Sequence, residues 1–129
     1  MMLEKKHSSF VLRLGLGLVF LLLGINKMIK PEIWMGWIPL PLKPLIADAN
    51  QFLFFNGLVE AILGLMLILG IYTKIASMVS AAFLFAILLF FGADDITSRD
   101  IGLLAMAITI MMLGPGELSV DKKYLKRRV

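Results

Sequence analysis

The segment from Gln51 to Ile71 is almost entirely apolar and long enough to cross a lipid bilayer, yet it carries Glu60 near its centre. A carboxylate at that depth costs about 2.5–3.5 kcal/mol on insertion scales, whereas each Leu, Ile, Phe or Val contributes about −0.3 to −0.6 kcal/mol. The segment contains thirteen such apolar residues, so it still inserts and takes its acid into the membrane. An acid in that position is, by default, expected to be part of a functional site.

The rest of the chain is equally apolar. Of its 129 residues, 60% are hydrophobic and the mean hydropathy is +0.91, which is more apolar surface than a soluble chain of this length can bury. We therefore predict an all-α integral membrane protein, with residues 1–129 forming a single up-down four-helix bundle. The predicted helices cover about residues 10–29, 51–71, 75–91 and 99–113, with an outer interfacial loop over 30–50, a short connection at 93–98 and a basic tail over 117–129.

The distribution of basic residues predicts the orientation. With both termini in the cytoplasm, nine Lys and Arg residues lie inside and four outside, which favours an N-in, C-in, multi-pass protein of the plasma membrane. The first segment has the basic start and apolar run of a signal peptide, but it lacks an A-x-A-like cleavage signal, so we interpret it as a retained helix. The excess of the net charge of +4 lies on the tail, where anionic lipid attracts basic residues, so the charge says little about nucleic acid. Two interpretations of the tail stay open, a solvated segment and a partner site.

The residue types exclude several kinds of chemistry. The chain has no cysteine, which excludes thiol–disulfide exchange, iron–sulfur clusters and Cys-ligated zinc. Its one histidine, His7, precedes the first apolar segment, so one chain cannot hold haem between two histidines. We expect no metal site and no covalently bound cofactor, and any redox role would use a quinone or the cofactor of a partner.

The loop between the first two apolar segments holds four of the five prolines and both tryptophans, Trp34 and Trp37. Tryptophan favours the headgroup region of a bilayer, and the prolines prevent one regular helix. Two interpretations stay open. The loop either anchors the protein at the outer interface or dips into the bundle as a lid.

Two stripes of small and polar residues are predicted on the first two helices. They contain Arg13, Gly17, Phe20, Gly24 and Lys27, and Asn56, Gly57, Glu60 and Gly64. Glycines in both stripes permit close approach, so we predict that the stripes face each other. Because Cβ bonds tilt toward a helix N-terminus, Lys27 and Glu60 lean toward each other, whereas Arg13 leans toward the cytoplasm. We therefore predict that Lys27 approaches Glu60, directly or through water, and that Arg13 snorkels.

Polar residues of three helices fall in the same outer half and predict a polar cavity open to the outer side: Asn26, Lys27, Asn56, Glu60, Arg99 and Asp100. Structural alternatives exist for most of them. Asp100 can cap the fourth helix, Arg99 can meet lipid phosphate and Lys27 can snorkel outward. Glu60 can serve only to fix helix register, although a partnered acid at the midplane usually marks a proton, ion or substrate path.

Five short motifs follow one another along the four predicted helices: Arg13-x-x-x-Gly17, Gly24-x-x-Lys27 before Pro31, Glu60-x-x-x-Gly64-Leu65 with Gly70, Arg99-Asp100, and Gly114-Pro115-Gly116-x-x-Ser119-Val120-Asp121. Through them the chain resembles the DoxX family of small four-helix membrane proteins over nearly its whole length. Val120 stands where the closing motif often has Leu. The resemblance marks these polar positions as the ones of interest: Arg13, Lys27, Glu60, Arg99 and Asp100.

The resemblance implies a link to quinones, because some DoxX-like proteins are small subunits of a thiosulfate:quinone enzyme or a terminal quinol oxidase, and others belong to a membrane complex for oxidative stress. We expect a small subunit or accessory of a quinone-linked membrane oxidoreductase, in which Glu60 exchanges a proton. The expected residues around a quinone or similar polar head are Arg13, Lys27, Trp34, Trp37, Asn56, Glu60, Arg99 and Asp100. Two other classes stay open: a small homo-oligomeric transporter or ion-binding protein, and a non-catalytic scaffold that docks a partner such as a soluble redox protein.

Overall fold

Helices make up the regular structure of this chain. The computed structural model describes residues 2–91 and 97–127, with side chains for residues 7–91 and 97–124, and no β-strand occurs in these ranges. In chain order the helices are α1 (Met2–Ile29), α2 (Pro31–Trp34), α3 (Ala49–Leu69), α4 (Thr73–Phe91), α5 (Thr97–Leu113) and α6 (Val120–Arg127). The predicted connection at 93–98 lies mostly outside the described residues, as do the last two residues of the predicted tail.

Within residues 2–91 and 97–127, three helices are long and apolar enough to cross a membrane, namely residues His7–Ile29 of α1, all of α3 and all of α4. Their outward faces carry large exposed apolar side chains, such as Leu22 and Leu89. A surface of this kind is stable against lipid rather than water, so the chain is a membrane protein in contact with the bilayer. With 17 residues, α5 is shorter than the three candidate spans.

The most extensive helix contact joins α1 and α3. Gly24 faces Gly57, and a Cβ added at Gly24 would lie 2.5 Å from the carbonyl oxygen of Gly57. Seven residues before Gly24 on α1, Gly17 faces Gly64 of α3 in the same way. The two backbones therefore touch at two points, which confirms that the stripes face each other and fixes the register of α1 against α3.

The other two long helices, α4 and α5, pack mainly on each other and form a second pair. Apolar side chains from both pairs build one buried core: Leu16, Phe20, Leu63, Leu67, Ala76, Leu84, Leu103, Ala107 and Ile110. Toward the connection between α1 and α3 this core gives way to a cavity. We call that end of the helices the loop end, and the opposite end, where α6 lies, the tail end.

At the loop end the chain forms short turns of helix rather than one regular helix. Pro31 occupies the first turn of α2, where its missing N–H is tolerated, and two 3₁₀ turns follow at Met35–Trp37 and Leu40–Leu45. The next helix, α3, begins at Ala49, two residues before the predicted start. The cause is Asp48, whose side chain accepts hydrogen bonds from the backbone N–H groups of Asn50 at 2.9 Å and Gln51 at 3.4 Å.

At the tail end, Asp121 of α6 holds the turn between α3 and α4. Its carboxylate accepts the backbone N–H groups of Tyr72 at 2.7 Å and Thr73 at 2.8 Å, where α4 begins. Gly70 ends α3 with a left-handed φ of 72°, and its carbonyl accepts the N–H of Asp121 at 3.0 Å. The predicted tail therefore contains a helix that is attached to the ends of α3 and α4.

Candidate functional site

A cavity of about 430 Å³ lies at the loop end, between the four long helices and the loop that joins α1 to α3. Its volume falls in the range that small-molecule sites occupy. Most of its wall is apolar. It includes the aromatic side chains of Phe20, Phe52, Phe83 and Phe90 and the aliphatic side chains of Leu23 and Ile87. The charged and amide groups of the wall form one polar cluster, which consists of Lys27, Asn56, Glu60, Arg99 and Asp100.

The centre of the polar cluster is an ion pair between α1 and α3. The ammonium of Lys27 donates hydrogen bonds to Glu60 Oε1 at 2.6 Å and to Asn56 Oδ1 at 3.1 Å. Lys27 and Glu60 are only 8% and 4% exposed. The ammonium also lies 5.0 Å from the ring centroid of Trp34 and 5.6 Å from that of Phe83, within the range of cation–π attraction.

The register of α1 against α3 brings this pair together. Lys27 follows Gly24 by three residues, and Glu60 follows Gly57 by three residues on the facing helix. Because α1 and α3 run in opposite directions, Lys27 and Glu60 lie on either side of the glycine contact along the helix axes, on the same face of the helix pair, and their side chains lean toward each other. The prediction that Lys27 approaches Glu60 is confirmed, and the contact is direct.

The first turn of α5 supplies the other two charges of the polar cluster. Arg99 Nε lies 3.8 Å from Asp100 Oδ1. Asp100 is buried against the cavity, whereas the side chain of Arg99 is 56% exposed and forms part of the rim. Two acids and two bases line the described part of the wall, so their formal charges cancel.

Both tryptophans lie on the cavity wall. The indole N–H of Trp34 donates to Asn26 Oδ1 at 2.8 Å, which ties the loop to the end of α1. The ring of Trp37 contacts that of Phe91 on α4, with 5.4 Å between centroids. Of the two interpretations left open by the sequence, this position agrees with a loop that covers the cavity.

Arg13 lies apart from the other residues expected at the site. Its side chain is 0% exposed at the tail end, where it donates to the carbonyl of Leu67 at 3.1 Å and to that of Leu118 at 2.9 Å. The prediction that Arg13 snorkels is therefore wrong. The last carbonyls of α3 and the segment before α6 offer acceptors inside the protein, and a cation is favoured at a helix C-terminus.

The phenylalanines that α4 contributes to the site were not predicted from the sequence. Phe83 lies beside the ammonium of Lys27, and Phe91 meets Trp37. Within an apolar helix, a phenylalanine that lines a cavity has the same sequence signature as one that faces lipid. The spacing of α4 alone therefore carried no signal for these two positions.

Comparison with known proteins places the chain beside a family and a curated relative. The family model described as DoxX matches residues 8–93, about two thirds of the chain. An uncharacterized membrane protein of Mycobacterium tuberculosis is 29% identical, and the alignment covers 96% of this chain and 85% of that protein. No solved structure matches the chain significantly. The matched family segment includes Lys27, Asn56 and Glu60 and ends before Arg99 and Asp100.

Proposed function

This chain belongs to the DoxX family of membrane proteins, and from that premise we propose that its cavity binds the head group of a lipid-soluble quinone. The observation that carries the proposal is one apolar, aromatic-lined cavity in which the charged and amide side chains of the described residues form a single cluster without net formal charge. A quinone head presents the complementary surface, because it is a neutral, flat ring with two carbonyl acceptors.

The proposal includes a topology. We take α5 as a fourth, short span that completes an up-down four-helix bundle with both termini in the cytoplasm of a plasma membrane. In this orientation, the polar cluster lies in the outer half of the bilayer and α6 lies at the inner surface. The nine-to-four distribution of basic residues supports that choice.

The residues around the cavity fit a quinone in size and chemistry. The volume of about 430 Å³ suits a small ring with part of its tail, and the apolar wall suits the tail itself. Arg99, Asn56 and Lys27 carry N–H groups that can bind a carbonyl oxygen, and Asp100 holds Arg99 at the rim. Trp34 and Trp37 cover the head from the loop side and keep water from it.

Within this function Glu60 exchanges a proton. A quinone that is reduced to a quinol takes up electrons and protons in equal number. The electrons would come from a partner, such as a soluble redox protein or another subunit, and this chain would act as the small quinone-binding subunit or accessory. Glu60 is suited to the proton step because it is a carboxylate at the cavity wall, held in one position by Lys27 at 2.6 Å.

The neutral polar cluster also bears on the alternative functions. A transporter for a cation, proton or amine would gain from uncompensated negative charge at its site, whereas Lys27 already occupies Glu60 here. A non-catalytic scaffold needs no cavity. Both alternatives predict that quinones bind without saturation, so a titration of the protein with quinone separates them from the proposal.

Tryptophan fluorescence offers a direct test, because the only two tryptophans of the chain line the cavity. A short-chain quinone added to the purified protein in detergent should quench this fluorescence saturably. Glu60→Gln and Arg99→Leu should each weaken the quench while the helical circular dichroism stays unchanged. Glu117→Gln and Lys122→Leu are matched controls, since these residues form an exposed ion pair outside the cavity.

Free N-acetyltryptophanamide in the same micelles corrects for quinone that merely dissolves in detergent. A quench that rises linearly with quinone, as for this free tryptophan, would contradict the proposal. So would a saturable quench that both cavity substitutions leave unchanged.

A further inference from the structure

The turn between α3 and α4 holds a tyrosine in a backbone conformation that tyrosine rarely adopts. Tyr72 has a φ of 46°, in the left-handed region, where glycine is favoured because a Cβ crowds the backbone. Packing offsets little of this strain, since the residue is 66% exposed. The conformation is held by Asp121, whose carboxylate accepts the N–H of Tyr72 at 2.7 Å. A strained and exposed tyrosine indicates a use for its side chain outside the folded chain.

Tyr72 lies at the level of the lipid headgroups. The candidate span of α3 ends at Leu69 and that of α4 begins at Thr73, so the turn between them is where the hydrocarbon gives way to headgroups. Ile75 in the first turn of α4 is exposed, so the apolar outer surface of that helix begins beside the turn. Tyrosine is enriched at this level because its ring is apolar and its hydroxyl is polar. A second tyrosine of the tail end, Tyr124 of α6, is also 66% exposed.

The uncompensated charges of the tail end are basic. Lys74 and Lys123 are exposed, and neither forms an ion pair with any side chain that the structure describes. The acids nearby are already engaged, because Asp121 binds the turn and Glu117 lies 3.2 Å from Lys122. Two exposed ammonium groups and two exposed tyrosines therefore occur together at this end.

A single residue holds these four side chains in one region. The carboxylate of Asp121 accepts the backbone N–H groups at the start of α4, directly before Lys74. Its own N–H donates to the carbonyl of Gly70 at 3.0 Å, at the end of α3. Lys123 and Tyr124 follow Asp121 within one turn of α6. The first turn of α6 is thus fixed beside the membrane level rather than free in water.

We propose that the tail-end surface, formed by Tyr72, Lys74, Lys123 and Tyr124, binds the headgroups of anionic phospholipids. In the proposed topology this surface meets the inner leaflet, whose lipids are anionic. The ammonium groups attract lipid phosphate, and the tyrosines occupy the boundary between headgroups and acyl chains. An acidic soluble protein would match the lysines alone, whereas lipid also accounts for the strained tyrosine between two spans. The surface is at the opposite end from the cavity and does not depend on quinone binding.

Native mass spectrometry of the purified protein tests this binding. Protein in mild detergent is titrated with phosphatidylglycerol or with phosphatidylcholine of the same acyl chains, and the adduct intensities give the dissociation constants. Phosphatidylglycerol should bind about ten-fold more tightly or better. Lys74→Gln and Lys123→Gln should each reduce this preference about five-fold, because one basic residue near an anionic surface contributes about that factor. Lys43→Gln, an exposed lysine of the loop end, is the matched control and should leave the preference unchanged.

Tyr72→Gly keeps the test valid even if a lysine variant does not fold. Glycine adopts a φ of 46° without strain, so this variant should unfold no more easily than wild type and yet bind phosphatidylglycerol more weakly. Equal constants for the two lipids in wild type would overturn the proposal and favour an acidic soluble partner. Equal effects of Lys43→Gln and Lys74→Gln would also overturn it, as would unchanged lipid binding by Tyr72→Gly.

Discussion

The ion pair of Lys27 and Glu60 allows a quantitative test of how the polar cluster is built. Both side chains are buried, and their charged atoms lie 2.6 Å apart. Removing one partner from a buried pair leaves an uncompensated charge, which typically costs about 3–5 kcal/mol. Lys27 keeps Asn56 and two ring faces when Glu60 is lost, so we expect Glu60→Gln to lie near the lower value, at about 3 kcal/mol.

The double variant measures the interaction itself. Lys27→Met combined with Glu60→Gln removes the buried charges together, so part of the loss should be recovered, with a coupling energy of about 2–3 kcal/mol. The exposed pair of Lys122 and Glu117, 3.2 Å apart, provides the matched control cycle. Its coupling energy should stay below about 1 kcal/mol, because water screens an exposed pair.

Unfolding of the purified variants in mixed micelles, followed by far-ultraviolet circular dichroism against the mole fraction of a denaturing detergent, gives the four free energies of each cycle. Strictly additive losses at Lys27 and Glu60 would refute the reasoning, since two residues in direct contact cannot then be interacting. A coupling energy equal to that of the exposed pair would refute the claim that burial makes the difference.

Two further predictions concern the fold and its orientation. Gly24→Val should destabilise the protein by roughly 2 kcal/mol or more in the same unfolding assay, because the valine side chain would meet the backbone of Gly57. Gly102→Val is the control and should be tolerated, since a Cβ at that position meets nothing within 4 Å. Equal losses of stability in the two variants would contradict the close helix contact. Single cysteines at Met35 and Lys123 should react with an impermeant thiol reagent from outside and inside respectively, and reaction of both from one side would rule out the topology.

Contacts that depend on helix periodicity could be predicted from the sequence. Gly24 and Gly57 each belong to a stripe of small and polar residues with a helical repeat. The tilt of the Cβ bonds was then enough to select Lys27 rather than Arg13 as the partner of Glu60. These relations are local to each helix, so they need only the assumption that the two stripes face each other. The position of the candidate site at one end of the helices follows from them.

Contacts between segments far apart in sequence could not be predicted in the same way. The carbonyl of Leu118 that binds Arg13 is 105 positions away, and nothing in the composition of the tail shows that it returns to the end of α3. Asp121 likewise belongs to a tail that reads as a basic, solvated segment, although it caps the start of α4 at Thr73. The sequence does not show that these carbonyl acceptors lie beside Arg13. An arginine in a membrane helix is then expected to snorkel rather than to be buried.

The central claim, that the cavity holds a quinone, is tested most directly by what the protein retains from a quinone-containing membrane. Protein purified in mild detergent without added ligand should release a quinone on solvent extraction, identified by mass spectrometry and present in an amount comparable to the protein. The combined variant Glu60→Gln and Arg99→Leu should release far less, whereas Glu117→Gln should match the wild type. Equal quinone in all three samples, at the level carried by empty micelles, would contradict the claim.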